Sequence, residues 1–178
     1  LKDSKKPVVF ISGHFNNFEL MAMQIEKSGI DLAAIYRPLN NIFLNKIMEN
    51  IRIKYICRKQ IKKGRSGTRE LIELFKNNYS IALMIDQRLS ESIKLNFFGQ
   101  EASTTTFPAQ IAKKFGCSIV PIYIERIDGI YFKMKINKPI NFAKELTVKE
   151  ITTKLNRWLE EMILANPDQW IWTHDRWK

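Results

Sequence analysis

Cysteine is nearly absent from these 178 residues: Cys57 and Cys117 stand far apart in unrelated surroundings. Two isolated thiols give neither a disulfide framework nor a metal-ligand spacing, and they suit a reducing compartment. Histidine is as scarce, with only His14 and His174. No apolar run approaches the roughly 18–20 residues that cross a bilayer. Internal repeats and low-complexity linkers are missing too, so a single domain over residues 1–178 is expected. Acid is the last shortage. Against 29 Lys+Arg there are 18 Asp+Glu, a formal net charge of +11. A chain so charged expects anionic partners: nucleic acid, a membrane surface, a phosphorylated substrate or an acidic protein. It opens at Leu1 rather than at a methionine, and therefore reads as a fragment or an excised piece, in which the lack of a membrane anchor says little about the parent protein.

The positive charge is concentrated. Nine basic residues lie between Lys46 and Arg69 with one acid, Glu49, so +8 of the net charge falls in this segment. Either a partner-steering patch or a solvated basic face fits that density.

Strand and helix patterns alternate along the chain. "PVVFIS" (7–12), "LAAIYR" (32–37) and "SIALMI" (80–85) read as buried strands, and "NNFELMAMQIEKSG" (16–29) and 68–77 as helices. Residues 40–52 have helical spacing through Ile42, Phe43, Ile47 and Ile51, a short strand is expected at 55–57, and 87–103 reads as an irregular connection. After a helix over 105–115, strands at 118–126 and 130–136 pair through Asp128-Gly129. A last helix starts at a capping box, Thr147 with Glu150, and shows Ile151, Leu155, Trp158 and Met162 on its apolar face. The expected fold class is α/β, a mostly parallel central sheet flanked by helices, with an antiparallel hairpin near the C-terminus. Ligands of such sheets sit beyond the carboxyl ends of the strands, where His14, Arg37 and Asp86 all fall.

"ISGHFNNFEL" (11–20) places a histidine at the mouth of a strand and Glu19 five residues on. On one continuous helix the two side chains would diverge by about 140°. They meet only with His14 in the loop and Glu19 in the first helical turn. A carboxylate on one ring nitrogen fixes the tautomer and frees the other nitrogen to take a proton from a hydroxyl. Asn16-x-x-Glu19 is equally a capping-box pattern, with Glu19 bonded to the Asn16 N–H. No metal is expected, since H-x-x-x-x-E is not zincin spacing.

Five blocks in order then resemble one family, the late (lauroyl/myristoyl-type) bacterial lipid A biosynthesis acyltransferases, distant relatives of the glycerol-phosphate acyltransferases. They are "SGHFNNFEL", "YRPLNN" (36–41) with Arg52 beyond it, "LMIDQ" (83–87), "NFFGQEASTTT" (96–106) and "PDQWIWTHDRWK" (167–178). The sequence departs from the family at Asp175, where a basic residue is usual, and in lacking the N-terminal membrane anchor that the resemblance implies, as a fragment would explain. The resemblance implies an enzyme without a cofactor. His14 would be the general base and Glu19 its partner, with Arg37, Asn40, Arg52, Asp86 and Gln87 in substrate-binding or oxyanion positions. The donor would be an acyl carrier protein thioester, the acceptor a hydroxyl of a phosphorylated lipid A precursor, and the place the cytoplasmic face of the inner membrane. A membrane surface is a further expected partner for the basic segment.

Capping of the following helix is the plainer role for Ser103–Thr106, and His174 reads as structural. No covalent acyl-enzyme is needed, and both cysteines read as packing residues. Another acceptor, such as a phosphatidylinositol mannoside or an aminolipid, is the nearest alternative. A nucleic-acid-binding module is the distant one, and no nucleic acid is expected because none of its usual motifs occurs.

Overall fold

The computed structural model describes residues 6–88 and 92–177. Leu1, residues 89–91 of the expected connection, and Lys178 at the end of the last block lie outside the described residues. The elements in chain order are β1 (Val9–Ser12), α1 (Glu19–Lys27), β2 (Leu32–Tyr36), α2 (Ile42–Tyr55), β3 (Lys59–Lys62), α3 (Arg65–Lys76) and β4 (Ser80–Met84). There follow β5 (Ser92–Phe97), β6 (Gln100–Thr105), α4 (Phe107–Phe115), β7 (Ile119–Asp128), β8 (Tyr131–Ile136) and α5 (Val148–Ala165), then a 3-10 turn at Pro167–Gln169. Six strands form one sheet in the order β3-β2-β4-β1-β7-β8, and β5 and β6 form a separate pair. β2 runs parallel to both β3 and β4, whereas β7 and β8 are antiparallel. This is the expected mostly parallel α/β sheet with a late hairpin.

The residues group into two compact units: those up to Phe10 with Glu19–Leu83, and Ile11–Phe18 with those from Met84 onward. In the first, Val9, Phe10, Leu32, Ala33 and Ile81 are buried strand residues, as the continuous apolar runs require of a parallel sheet. Leu71 and Phe75 of α3 are buried, four apart on one helical face. α3 starts earlier than expected, inside the basic loop, because Gly67 lets its first turn press on β3. A Cβ there would lie 1.9 Å from the Lys62 carbonyl oxygen.

The short strand expected at 55–57 is displaced. α2 runs on to Tyr55, the Ile56 and Cys57 N–H groups still donate to the Arg52 carbonyl at 2.9 Å, and the strand forms at β3 instead. Cys57 packs as expected: buried, its thiol pushed up to about 12 chiefly by burial, with Sγ 3.2 Å from the Leu32 carbonyl oxygen.

In the second unit the connection expected to be irregular is the antiparallel pair β5–β6, in register from Ser92↔Thr105 to Phe97↔Gln100. Its two-residue turn has positive φ at Phe98 (54°) and Gly99 (78°), the mirror-image geometry that suits a hairpin. Helix α5 forms its capping box as expected, with the Thr147 hydroxyl accepting from Glu150 N–H at 3.2 Å and Glu150 accepting from Thr147 N–H at 2.7 Å. Its buried stripe is Ile151, Leu155, Leu159 and Ile163. Trp158 and Met162, expected on that face, are half-buried at its margin.

The largest fully buried side chain is Arg176. Its guanidinium donates to Thr104 Oγ1 at 3.0 Å and Asn156 Oδ1 at 2.8 Å, and lies 4.0 Å from the centroid of the Phe97 ring. Burial pulls its pKa down to about 10, so it remains charged at neutral pH. Thr106, the N-cap of α4, makes no side-chain capping hydrogen bond, so of the capping expected of Ser103–Thr106 only Thr105 Oγ1 accepting from the Phe107 N–H at 3.3 Å is formed among the described residues, and the block has another structural task. It lines the slot for an arginine from the closing segment.

Candidate active site

Strand β1 is buried at all four positions and stops at Ser12, which delivers Gly13 and His14 to its carboxyl end. Gly13 cannot be larger: a Cβ would come within 2.9 Å of Leu159 Cδ1 and 3.2 Å of Asp86 Oδ2. That closeness lets Asp86, just past β4, grip the next residue twice. Its Oδ2 accepts from the His14 backbone N–H at 2.6 Å, and its Oδ1 lies 2.6 Å from His14 Nδ1. Oδ2 also accepts from the Trp170 indole N–H at 2.8 Å.

The carboxylate is 3% exposed and the imidazole 16%. Burial alone would push the Asp86 carboxyl up, but the His14 ring, the His14 backbone N–H and the Trp170 indole hold it below its ordinary value of 3.8. An ionised Asp86 accepts from Nδ1–H, and in the neutral imidazole this places the lone pair on Nε2. The Gln87 amide lies 3.2 Å from Nε2, and the Phe18 ring stands edge-on to the imidazole at 4.6 Å.

The closing segment completes the site. Phe15 and Trp170 form an isolated antiparallel bridge, the Ile171 N–H donates to the His14 carbonyl at 3.0 Å, and the Asn16 N–H donates to the Gln169 carbonyl at 3.0 Å. A cavity of about 250 Å³ is lined by His14, Asp86, Gln87, Ile171, Thr173 and His174. His174 is therefore a wall of the cavity rather than a structural residue alone, and its Nε2 accepts from the Arg88 N–H at 2.9 Å. Among the described residues no cluster of His, Cys, Asp and Glu could hold a metal ion.

The other sequence candidates go elsewhere. Asn16 adopts φ 42°, and with its N–H taken by Gln169 the alternative Asn16/Glu19 capping box does not form. Glu19 is the first residue of α1 and accepts from Arg52 Nε at 2.7 Å. The partner of the imidazole in this structure is Asp86. Arg52 lies over the Tyr36 ring, and its buried Nη1 has no hydrogen-bond partner among the described residues. Arg37 and Asn40 are exposed, and Arg37 is close enough to Lys63 that its charge, after burial, lowers the lysine's pKa. Sequence reasoning placed Asp86 at the rim but missed its bond to His14 and the part played by Trp170. The signal was the coincidence of Asp86 and His14 at strand ends, which carries no information about which side chains touch.

Compared with known protein families, residues 1–178 match the one described as bacterial lipid A biosynthesis acyltransferase. The chain belongs to that family. It is an acyltransferase of lipid A biosynthesis, a bacterial and membrane-associated process that requires an acyl donor and a lipid acceptor. No curated protein matches this acyltransferase. Among its described residues no helix is long and apolar enough to cross a membrane.

Proposed function

We propose that this acyltransferase moves a fatty acyl group from an acyl carrier protein thioester to a hydroxyl of a phosphorylated lipid A precursor, at the cytoplasmic face of the inner membrane. The observation that carries the reading is a histidine fixed through Nδ1 by a buried carboxylate, with its other nitrogen at a cavity. In the proposed step the acceptor hydroxyl displaces the Gln87 amide from His14 Nε2 and gives its proton to that nitrogen. The oxygen attacks the thioester carbonyl carbon, and a C–O bond forms as the carbonyl becomes an oxyanion. Collapse breaks the C–S bond, and the imidazolium returns its proton to the departing thiolate. The products are an ester and a free carrier thiol.

Asp86 acts as a positioning residue, stabilising the imidazolium while the proton is held. The role expected of Glu19 at the imidazole passes in this proposal to Asp86, and Glu19 instead orients Arg52. Arg37, Asn40 and Arg52 are the proposed contacts for anionic oxygens of the substrates. Acyl transfer followed by mass spectrometry tests the reading, with carrier thioesters of mixed chain length and a tetra-acylated lipid A precursor. A gain of one acyl group that disappears in His14→Ala is expected. Equal transfer by the variant overturns the assignment of the base, and silence of a folded wild type overturns the acceptor.

A further inference from the structure

Helix α2 is inside out. None of its fourteen residues is buried. Around its axis Phe43, Ile47, Ile51 and Leu44 share one side, and all four are exposed, Phe43 at 85% and Ile47 at 56%. The opposite side carries Asn45, Glu49 and Arg52, and this polar side is the one turned to the protein. Asn45 Oδ1 accepts from the Leu39 N–H at 2.8 Å, and its amide donates to Glu49 at 2.8 Å. Glu49 also accepts from the Tyr36 hydroxyl and pairs with Lys62 at 3.2 Å, while Arg52 donates to Glu19. Asn41 caps the start, accepting from the Phe43 and Leu44 N–H groups. The helix is therefore pinned with its apolar stripe outward. Contiguous exposed apolar surface of this kind marks an interaction site.

Charge identifies the occupant. Of the nine basic residues between Lys46 and Arg69, all but Arg52 are exposed, and the segment's one acid, Glu49, is turned inward. Lys46 and Lys54 stand on α2 itself, and Lys59 and Lys62 on β3, an edge strand of the sheet. A convex helix with a purely aliphatic and aromatic stripe among lysines suits an interface with hydrocarbon below and anionic headgroups beside it.

We propose that α2 lies in the surface of an anionic phospholipid bilayer, with Phe43, Leu44, Ile47 and Ile51 in the acyl-chain boundary and the flanking lysines on the headgroups. This deepens the membrane part of the reading above, and its test requires neither acyl transfer nor lipid A.

The test is flotation of the full chain with phosphatidylethanolamine vesicles, made with and without phosphatidylglycerol. Binding is expected to the vesicles containing phosphatidylglycerol and to fall with added salt. Phe43→Ser with Ile47→Ser should weaken it by about tenfold or more. Lys46→Gln and Lys54→Gln should each weaken it roughly fivefold. Ile130→Ser, an exposed apolar residue at the β7–β8 turn, should bind as wild type does. Circular dichroism of each variant shows whether the fold is kept.

Unchanged binding by the folded double serine variant overturns the proposal, as does wild-type indifference to both vesicle types. A dimer or a carrier-protein complex that the double variant abolishes, with vesicle binding intact, overturns it in favour of that partner. Loss of docking alongside normal transfer to a detergent-solubilised acceptor would leave the proposed function standing, and the reverse pattern would remove that function and keep the docking.

Discussion

Helix α5 buries Ile151, Leu155, Leu159 and Ile163 on one stripe, whereas α2, with an equally helical spacing of Phe43, Ile47 and Ile51, buries nothing. Both helices begin with a side-chain cap, on Thr147 and on Asn41. What separates them is the polar face. In α2 Asn45, Glu49 and Arg52 each find a partner beyond the helix, in the Leu39 N–H, the Tyr36 hydroxyl and the Glu19 carboxylate. In α5 the inward polar residue Asn156 is one group in a network, with its amide bonded to Thr104 and its carbonyl accepting from Arg176. Apolar periodicity thus says that a face exists. The satisfaction of polar groups decides which way it points.

The same contrast holds at the two carboxylates. Asp86 is almost wholly buried and is hydrogen-bonded to His14 and to Trp170 beside it. Glu19 is partly exposed and paired with an arginine. The first arrangement fixes an imidazole, the second a guanidinium.

The largest effect should fall on the base. His14→Ala is expected to lower acyl transfer by about 10³-fold at unchanged fold, measured as initial rate under saturating donor. Asp86→Asn should lower kcat by about 10²-fold with KM little altered, since it acts through the imidazole; an equal loss from Glu19→Gln through kcat would return the pairing to Glu19.

Next come the two helices. Leu159→Ala in α5 should cost about 2–5 kcal/mol in urea unfolding, while Ile47→Ala in α2 should change stability by less than about 0.5 kcal/mol. Similar costs at both positions would erase the contrast.

The pH dependence is a finer test. Asp86 has a depressed pKa in the folded chain, so its contribution is fully present above about pH 4 and is lost as pH falls through the folded value. Wild type should therefore lose stability below about pH 4 more steeply than Asp86→Asn, read from unfolding midpoints across the acid range.

The smallest effect expected is on Lys62→Ala, whose largely exposed side chain reaches the inward-turned Glu49 from the solvent side. Its melting temperature should match wild type, and a clear drop would mean that the polar face of α2 is held more tightly than the ion pair suggests.

Much of this was legible without coordinates, for particular reasons. The alternation of "PVVFIS", "LAAIYR" and "SIALMI" with helical patterns gave the α/β class, because buried parallel strands read as continuous apolar runs. Thr147 and Glu150 announced the start of α5, since a capping box is a local interaction. The β5–β6 pair was hidden. Ile93, Leu95 and Phe97 alternate with Lys94 and Asn96, but β6 ("QEASTT") has no apolar alternation, and Phe97, Ser103 and Thr104 are met by Arg176 from far along the chain. The last part of the site to appear was Trp170, whose indole reaches a carboxylate 84 residues away.

By itself, then, the sequence determined the α/β class, most of the strand and helix order outside β3 and the β5–β6 pair, the basic segment, the cap at α5 and the family. These depend on neighbours within a few residues or on motifs in order. Only the tertiary structure decided that Asp86 rather than Glu19 holds His14, that Arg176 is buried among threonines, and that α2 turns its apolar stripe outward. Each of those outcomes depends on which distant polar group is close enough to bond, and a buried donor or acceptor left without a partner costs more than an apolar side chain left in water.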